Sequence, residues 1–273
     1  MAAGLEERFR ALHQGDGPLL MPNPWDPGSA RLLESLGFEA LATTSSGFAA
    51  TLGRLDGMVT RDEAIAHSAE IVEAVGVPVS ADLENCFADD PADVAETVRL
   101  AIDAGLAGCS IEDFSGNESD TLYEPGLAAE RVAAAAEAAH SGERRLVLTA
   151  RAENHVHGRD DLADTIARLQ SFQEAGADVL FAPGVRDLDQ IRELVASVDL
   201  PLNVLVLPGM PSVSELGEAG VKRISVGGAF AFAAYGAATL AGRELLESGT
   251  YGYWETAAVG GKATRDAFGA WAR

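Results

Sequence analysis

Glu174-Ala175-Gly176-Ala177-Asp178-Val179-Leu180 and Glu218-Ala219-Gly220-Val221-Lys222-Arg223-Ile224 repeat one phrase. In each, a helical stretch ends on Ala-Gly, one or two residues follow, and a strand begins. Glycine supplies the left-handed residue that stops a helix, and a helix passing directly into a buried strand is the unit of a parallel sheet. Working outward, eight short apolar runs recur at 19–23, 40–44, 77–83, 108–112, 146–151, 179–182, 202–207 and 223–226, with helix-period segments between them. Pro91 opens the helix expected over 91–104. Asp187 and Ser212 have N-cap chemistry, and Gly37, Gly76, Gly176 and Gly220 read as helix stops. Eight units predict an α/β fold of the (β/α)₈ TIM barrel type, a single domain over 1–273. Past the eighth strand a helix is expected near 229–247, then an extra helical segment within 250–273. That tail carries two of the three tryptophans, Trp254 and Trp271, and is expected to dock on its own or a neighbouring subunit.

The chain is 47% apolar, yet no apolar run reaches the roughly 18 residues that span a bilayer. Residues 1–10 lack the apolar core of a signal peptide, so a cytoplasmic protein is expected, without a membrane partner. Cys86 and Cys109 form no CxxC pair or zinc-type cluster. A net charge of −22 argues against nucleic acid, which is bound through clustered Lys and Arg. An anionic substrate would also be repelled at long range, so a local cation must hold it.

Barrel chemistry gathers at the C-terminal ends of the strands. The third strand ends Asp82-Leu83-Glu84, where period two puts both acids on one side, and the fourth ends Ile111-Glu112-Asp113. Crowded carboxylates need a proton or a cation among them, and an oxygen-only set suits Mg²⁺. Some could instead cap helices or pair with arginines. Arg151, ending the fifth strand, could grip a carboxylate bidentately or be the counter-ion of Glu84 or Glu112, and both roles could coexist. Thr43-Thr44-Ser45-Ser46-Gly47-Phe48 after the second strand reads as a ligand-binding loop in which Gly47 lets backbone N–H groups approach. Asp56, more than Asp26, is a further candidate from the loops. His155 and His157 form an H-x-H spacing open to a transition metal. The lysines, Lys222 and Lys262, lie away from the mouth, which argues against imine chemistry. Phe48, Phe114, Val156 and Asn203 are placed in the substrate pocket.

Taken in order, these residues resemble the isocitrate lyase and phosphoenolpyruvate mutase superfamily over nearly the whole chain. Asn23-Pro24-Trp25-Asp26-Pro27-Gly28-Ser29-Ala30-Arg31-Leu32 is similar to its opening strand and helix, Ser46-Gly47-Phe48 to its S-G-L segment, and Ile111-Glu112-Asp113 and Ala150-Arg151 to its I-E-D and A-R strand ends. The resemblance implies Mg²⁺ held chiefly by Asp82, with Asp56, Glu84 and Glu112 acting directly or through water. It implies a small 2-oxocarboxylate held by the metal, by the backbone of Ser46, Gly47 and Phe48, and by Arg151, with Trp25 and Ser45 alongside. It also implies homodimers or homotetramers that exchange the last helix. Catalytic roles fall to Asp56, Glu112 and Arg151, and the reaction breaks or forms a bond beside an enolate.

Two motifs depart from the family. Its D-x-D-T-G-Y-G becomes Asp82-Leu83-Glu84-Asn85-Cys86-Phe87-Ala88. Its K-K-C-G-H loop becomes Phe114-Ser115-Gly116-Asn117-Glu118-Ser119-Asp120, without Cys, Lys or His, so that Asn117 is the one residue able to stand in for the mutase loop. Decarboxylation or lysis of an oxaloacetate-like or substituted-malate-like acid needs least from that loop. Hydrolysis of a carbon–phosphorus bond, and 2-oxoacid binding without turnover, are the alternatives. Cys86 reads as incidental.

Overall fold

The computed structural model describes residues 4–116 and 122–269. The order is α1 (Leu5–Leu12), β1 (Leu19–Met21), α2 (Pro27–Ser35), β2 (Leu41–Ala42), α3 (Ser45–Thr51), α4 (Arg61–Ala74), β3 (Val79–Asp82), α5 (Pro91–Asp103), β4 (Gly108–Glu112), α6 (Pro125–His140), β5 (Val147–Arg151), α7 (Leu162–Glu174), β6 (Val179–Phe181), α8 (Leu188–Ala196), β7 (Leu202–Leu205), α9 (Val213–Glu218), β8 (Arg223–Ser225), α10 (Ala229–Glu247) and α11 (Trp254–Gly269). All eight strands fall within the apolar runs and pair in parallel, in the order β1-β8-β7-β6-β5-β4-β3-β2. The chain is a (β/α)₈ barrel with added C-terminal helices. Between β1 and β2, Asn23 bridges the seam: its amide Nδ2 donates to the Thr43 carbonyl, and its Oδ1 accepts from Val226 and Gly227 N–H.

Local signals account for most helix ends. Asp187 and Ser212 cap α8 and α9 through side-chain oxygens. Gly37, Gly176 and Gly220 take positive φ beyond α2, α7 and α9. Gly76 is an exception, because α4 already ends at Ala74 with Val75 extended. Phe9 of α1 plugs the N-terminal end of the barrel against Leu19, Met21, Ala107, Val147 and Val179. It lies so close to β4 that a Cβ at Gly108 would fall 2.6 Å from its ring, which demands glycine there.

The tail docks in part on its own subunit: α11 packs on α2, with Ala267 buried and Phe268 over Gly28. Leu246 (88%) and Trp254 (64%) remain exposed in the single chain. Trp271 lies outside the described residues. Among those described, no helix is long and apolar enough to cross a membrane.

Two buried histidines make the fold sensitive to acid. His13 sits edge-on to Phe9 and His67 stacks 3.8 Å from Phe48; neither Nε2 has a partner. Burial brings both down to about 4, with Arg223 adding to the effect at His13. The folded state holds them neutral while an unfolded chain takes up protons near pH 6.5. Their contribution is therefore whole above that pH and is lost as pH falls towards 4, by about 2 kcal/mol for each ring at pH 5. Urea unfolding at pH 7 and pH 5 is expected to show a smaller acid loss, by about that amount, in His67→Phe. Equal losses in the variant and the parent would mean that the ring titrates normally.

Candidate active site

Three strand ends bring charge together at one mouth. The ladder sets Asp82 of β3 against Ser110 of β4, and Glu112 of β4 against Arg151 of β5. Arg151 reaches Asp82 Oδ1 at 2.8 Å through Nη1, Glu112 Oε2 at 3.0 Å through Nη2 and Glu153 Oε1 at 2.8 Å through Nε. Burial works against its charge, but Glu112, Glu153 and Asp82 hold it firmly cationic. Burial pushes the Glu112 carboxyl upward, against Arg151. Arg151 is thus the counter-ion of Asp82, Glu112 and Glu153, not of Glu84, and all three faces of its fork are engaged within the protein.

Asp113, the last residue of Ile-Glu-Asp, is a brace. It accepts from Glu153 N–H at 2.8 Å and from Arg168 Nη1 at 2.9 Å, tying β4 to β5 and α7. Burial pushes its carboxyl up to about 6.

The backbone leaves β3 through an unusual turn, and Glu84 belongs to this turn, not to the strand. Glu84, Cys86 and Phe87 adopt φ of 50°, 59° and 56°, a left-handed region costing non-glycine residues about 1–2 kcal/mol each. The surroundings impose it: Arg131 of α6 donates to the carbonyls of Asn85, Ala88 and Glu112. Thr97 Oγ1 donates to the Cys86 carbonyl, and Glu112 N–H to that of Glu84. Arg131 also stacks 3.8 Å over Tyr123. Burial pushes the enclosed Cys86 thiol up to about 12, leaving it inert at neutral pH.

The expected loop at Ser45-Ser46-Gly47-Phe48 is the first turn of α3, capped by Thr44. Several of its polar groups are already occupied: Ser45 N–H donates to Asp82 Oδ2, Gly47 N–H to Thr44 Oγ1, and Ser46 Oγ lies 3.2 Å from Thr44 Oγ1. Gly47 is required for packing, since a Cβ would fall 2.5 Å from the Thr44 methyl and 3.2 Å from Trp25. Burial raises the Asp56 carboxyl, and Asp82 adds to this; the Ser45 side chain bonds to it.

These residues surround a cavity of about 370 Å³. Ser45, Ser46, Asp56, Asp82, Glu84, Glu112 and Arg151 line it, as do Phe114 and Val156; Trp25, Gly47, Phe48 and Asn203 do not. His155 faces Asp160 while His157 stacks on Phe114 at the wall, so the H-x-H pair does not converge. Asn117 lies outside the described residues. Glu153 and Arg223 were not among the candidates, although the alternation Thr149-Arg151-Glu153 running out of β5 points to the first of them.

The donor set fits Mg²⁺. The Glu84 carboxylate accepts no hydrogen bond from the described residues, and burial, Asp82 and Asp56 push it up to about 8. A hard cation would relieve that crowding. No three described His, Cys, Asp or Glu residues enclose an ion by themselves; Mg²⁺ ordinarily needs one or two carboxylates and retains water.

The model of the phosphoenolpyruvate phosphomutase family matches residues 9–246. The chain belongs to that family. A solved Burkholderia cenocepacia structure, described as a candidate lyase/mutase, is 49% identical with a TM-score of 0.92 and 96% of each chain covered. An uncharacterized Mycobacterium tuberculosis protein is 34% identical over 80% of this chain and 81% of its own. Oxaloacetate decarboxylase 2 of Pseudomonas fluorescens is 30% identical over 91% of this chain and 86% of its own. The protein is an enzyme of the phosphoenolpyruvate phosphomutase and isocitrate lyase superfamily, in the lyase and mutase class.

Proposed function

We propose that this enzyme cleaves a carbon–carbon bond of a small 2-oxocarboxylate of the oxaloacetate type, or of a 2-hydroxy acid of the substituted-malate type, through an enolate and with Mg²⁺ as cofactor. The observation that carries the reading is the unpartnered Glu84 carboxylate set beside Asp82 and Asp56 on the cavity wall. Asp82 and Glu84 would hold the ion, with Asp56 and Glu112 reaching it directly or through water. When bound, it supplies Lewis-acid polarisation of the oxo group, which accepts the electron pair released at the neighbouring carbon.

The protein's own groups do the rest. Arg151 fixes the carboxylates of Asp82 and Glu112 through its fork and so positions the acids around the substrate. Ser45 N–H orients Asp82 from the other side. Phe114, Val156 and Phe181 supply apolar wall against bulk water. The loop Cys and Lys of related lyases and mutases are missing, which favours decarboxylation or lysis that leaves an enolate over reactions needing a loop acid.

The test is calorimetric titration of Mg²⁺ into metal-stripped protein with and without oxaloacetate, comparing the parent with Asp82→Ala. Metal-dependent 2-oxoacid binding is expected in the parent and absent from the variant. Indistinguishable isotherms would make the carboxylate cluster structural and overturn the proposal.

A further inference from the structure

A second arginine lies on the cavity wall without an acid beside it. Arg223 occupies an inward position of β8 and is only 4% exposed, yet it lines the cavity. Its Nη1 donates to Thr149 Oγ1 at 2.9 Å and its Nε has no partner. No described carboxylate pairs with it, and the charge it feels is that of Arg151, another cation. Burial first, and Arg151 second, bring it down to about 10, so it stays protonated at neutral pH. Below it lie the Phe9 ring, whose face 6.0 Å away gives a cation–π contact and no counter-ion, and neutral His13.

The wall also carries neutral hydroxyls, while Asp82, Glu112 and Glu153 on it are engaged by Arg151. Ser80, Ser110, Thr149 and Ser225 line the cavity. Behind Ser225, Asn203 donates Nδ2 to its hydroxyl while the buried Asn203 Oδ1 finds no partner. A buried guanidinium lacking a counter-ion is destabilising unless a ligand completes it. The planar fork and adjoining hydroxyls match a carboxylate. Of the two arginines on this wall, Arg151 is already neutralised by three acids, which leaves Arg223 to attract an anion into a protein of net charge −22.

We infer that Arg223 and Thr149 form an anion subsite deep in the cavity that takes a second carboxylate of the substrate, so that dicarboxylic 2-oxoacids are selected over monocarboxylic ones. The inference rests on the 2-oxoacid reading above and adds the residues that read the second carboxylate. Selection comes from a charge-assisted contact that a methyl group in the same place cannot make.

Matched ligand pairs test it by calorimetry in Mg²⁺: oxaloacetate against 2-oxobutyrate, and 2-oxoglutarate against 2-oxovalerate. The members of each pair share chain length and differ in the terminal carboxylate. The parent is expected to favour the dicarboxylate of at least one pair by about 10- to 100-fold. Arg223→Met, which keeps an apolar chain over Phe9, is expected to lose that preference while binding the monocarboxylates as before. It is also expected to melt no lower than the parent, since it removes an uncompensated charge. Should it fail to fold, Thr149→Val carries the same test through a several-fold drop in preference. A parent without preference, or a preference unchanged in these variants, overturns the subsite. Mg²⁺-dependent binding of 2-oxobutyrate or 2-oxovalerate without discrimination sinks this inference alone; absence of all 2-oxoacid binding sinks the functional reading with it.

Discussion

Arg151→Met is expected to lower kcat/KM for 2-oxoacid cleavage by about a thousandfold and to cost about 3–5 kcal/mol of stability. One guanidinium answers Asp82, Glu112 and Glu153 at 2.8, 3.0 and 2.8 Å. Methionine has similar bulk and no charge, so three enclosed carboxylates lose their cation together. The penalty has a definite pH dependence. Burial already raises the Glu112 carboxyl in the parent, and Arg151 works against this. Without Arg151 the folded-state value rises further above the unfolded one, so stability is retained in acid and lost as pH increases through the carboxylate range and beyond. Unfolding midpoints from pH 4.5 to 8, with kinetics at neutral pH, read both effects. Arg151→Lys restores charge without the fork and is expected to recover stability more than rate. A methionine variant with the parent's stability at neutral pH would show that the acids do not depend on this cation.

The second large effect is expected at Arg131, which does not itself line the cavity. Arg131→Met frees the carbonyls of Asn85, Ala88 and Glu112 and removes the stacking on Tyr123. Buried acceptors deprived of a charged donor cost about 1–3 kcal/mol each, and the left-handed turn at 84–87 loses its main restraint. A loss of about 4 kcal/mol is expected by urea unfolding, with Mg²⁺-dependent 2-oxoacid binding weakened because Glu84 no longer has a fixed position. Arg131→Lys, whose single ammonium cannot span three carbonyls, is expected to recover less than half. Unchanged metal-dependent binding in a destabilised Arg131→Met would separate the turn from the site.

The strands were legible because each is a short buried run closed by glycine or a cap, and burial on both faces of a parallel sheet leaves that mark. Asp82, Glu112 and Arg151 were legible because strand alternation and barrel polarity together specify the mouth. Glu84 reached the cavity for a different reason: period two does not extend past Asp82, and a left-handed turn carries the residue there. Ser45 to Phe48 read as a loop because small polar residues before glycine are ordinary in loops; the Thr44 hydroxyl, accepting from Gly47 N–H, makes the segment a helix start instead. Arg223 escaped notice because an arginine entering a strand looks like a surface residue, and only the closed barrel turns it inward. The saturation of Arg151 by Glu153 likewise depends on angles that residue spacing does not encode.

The turn after β3 gives the cavity an unusual kind of independence. Its path is dictated by an arginine on α6 and a threonine on α5, with Asn85 bonding inside the turn, so the identity of the side chain at 84 has little say in where it stands. Replacement of that side chain edits the chemistry at the mouth without redrafting the backbone beneath it. In a scaffold of this kind reactivity can diverge by single substitutions while the frame is inherited intact, and position 84, which the turn sets on the cavity wall, is where such divergence would be cheapest to engineer.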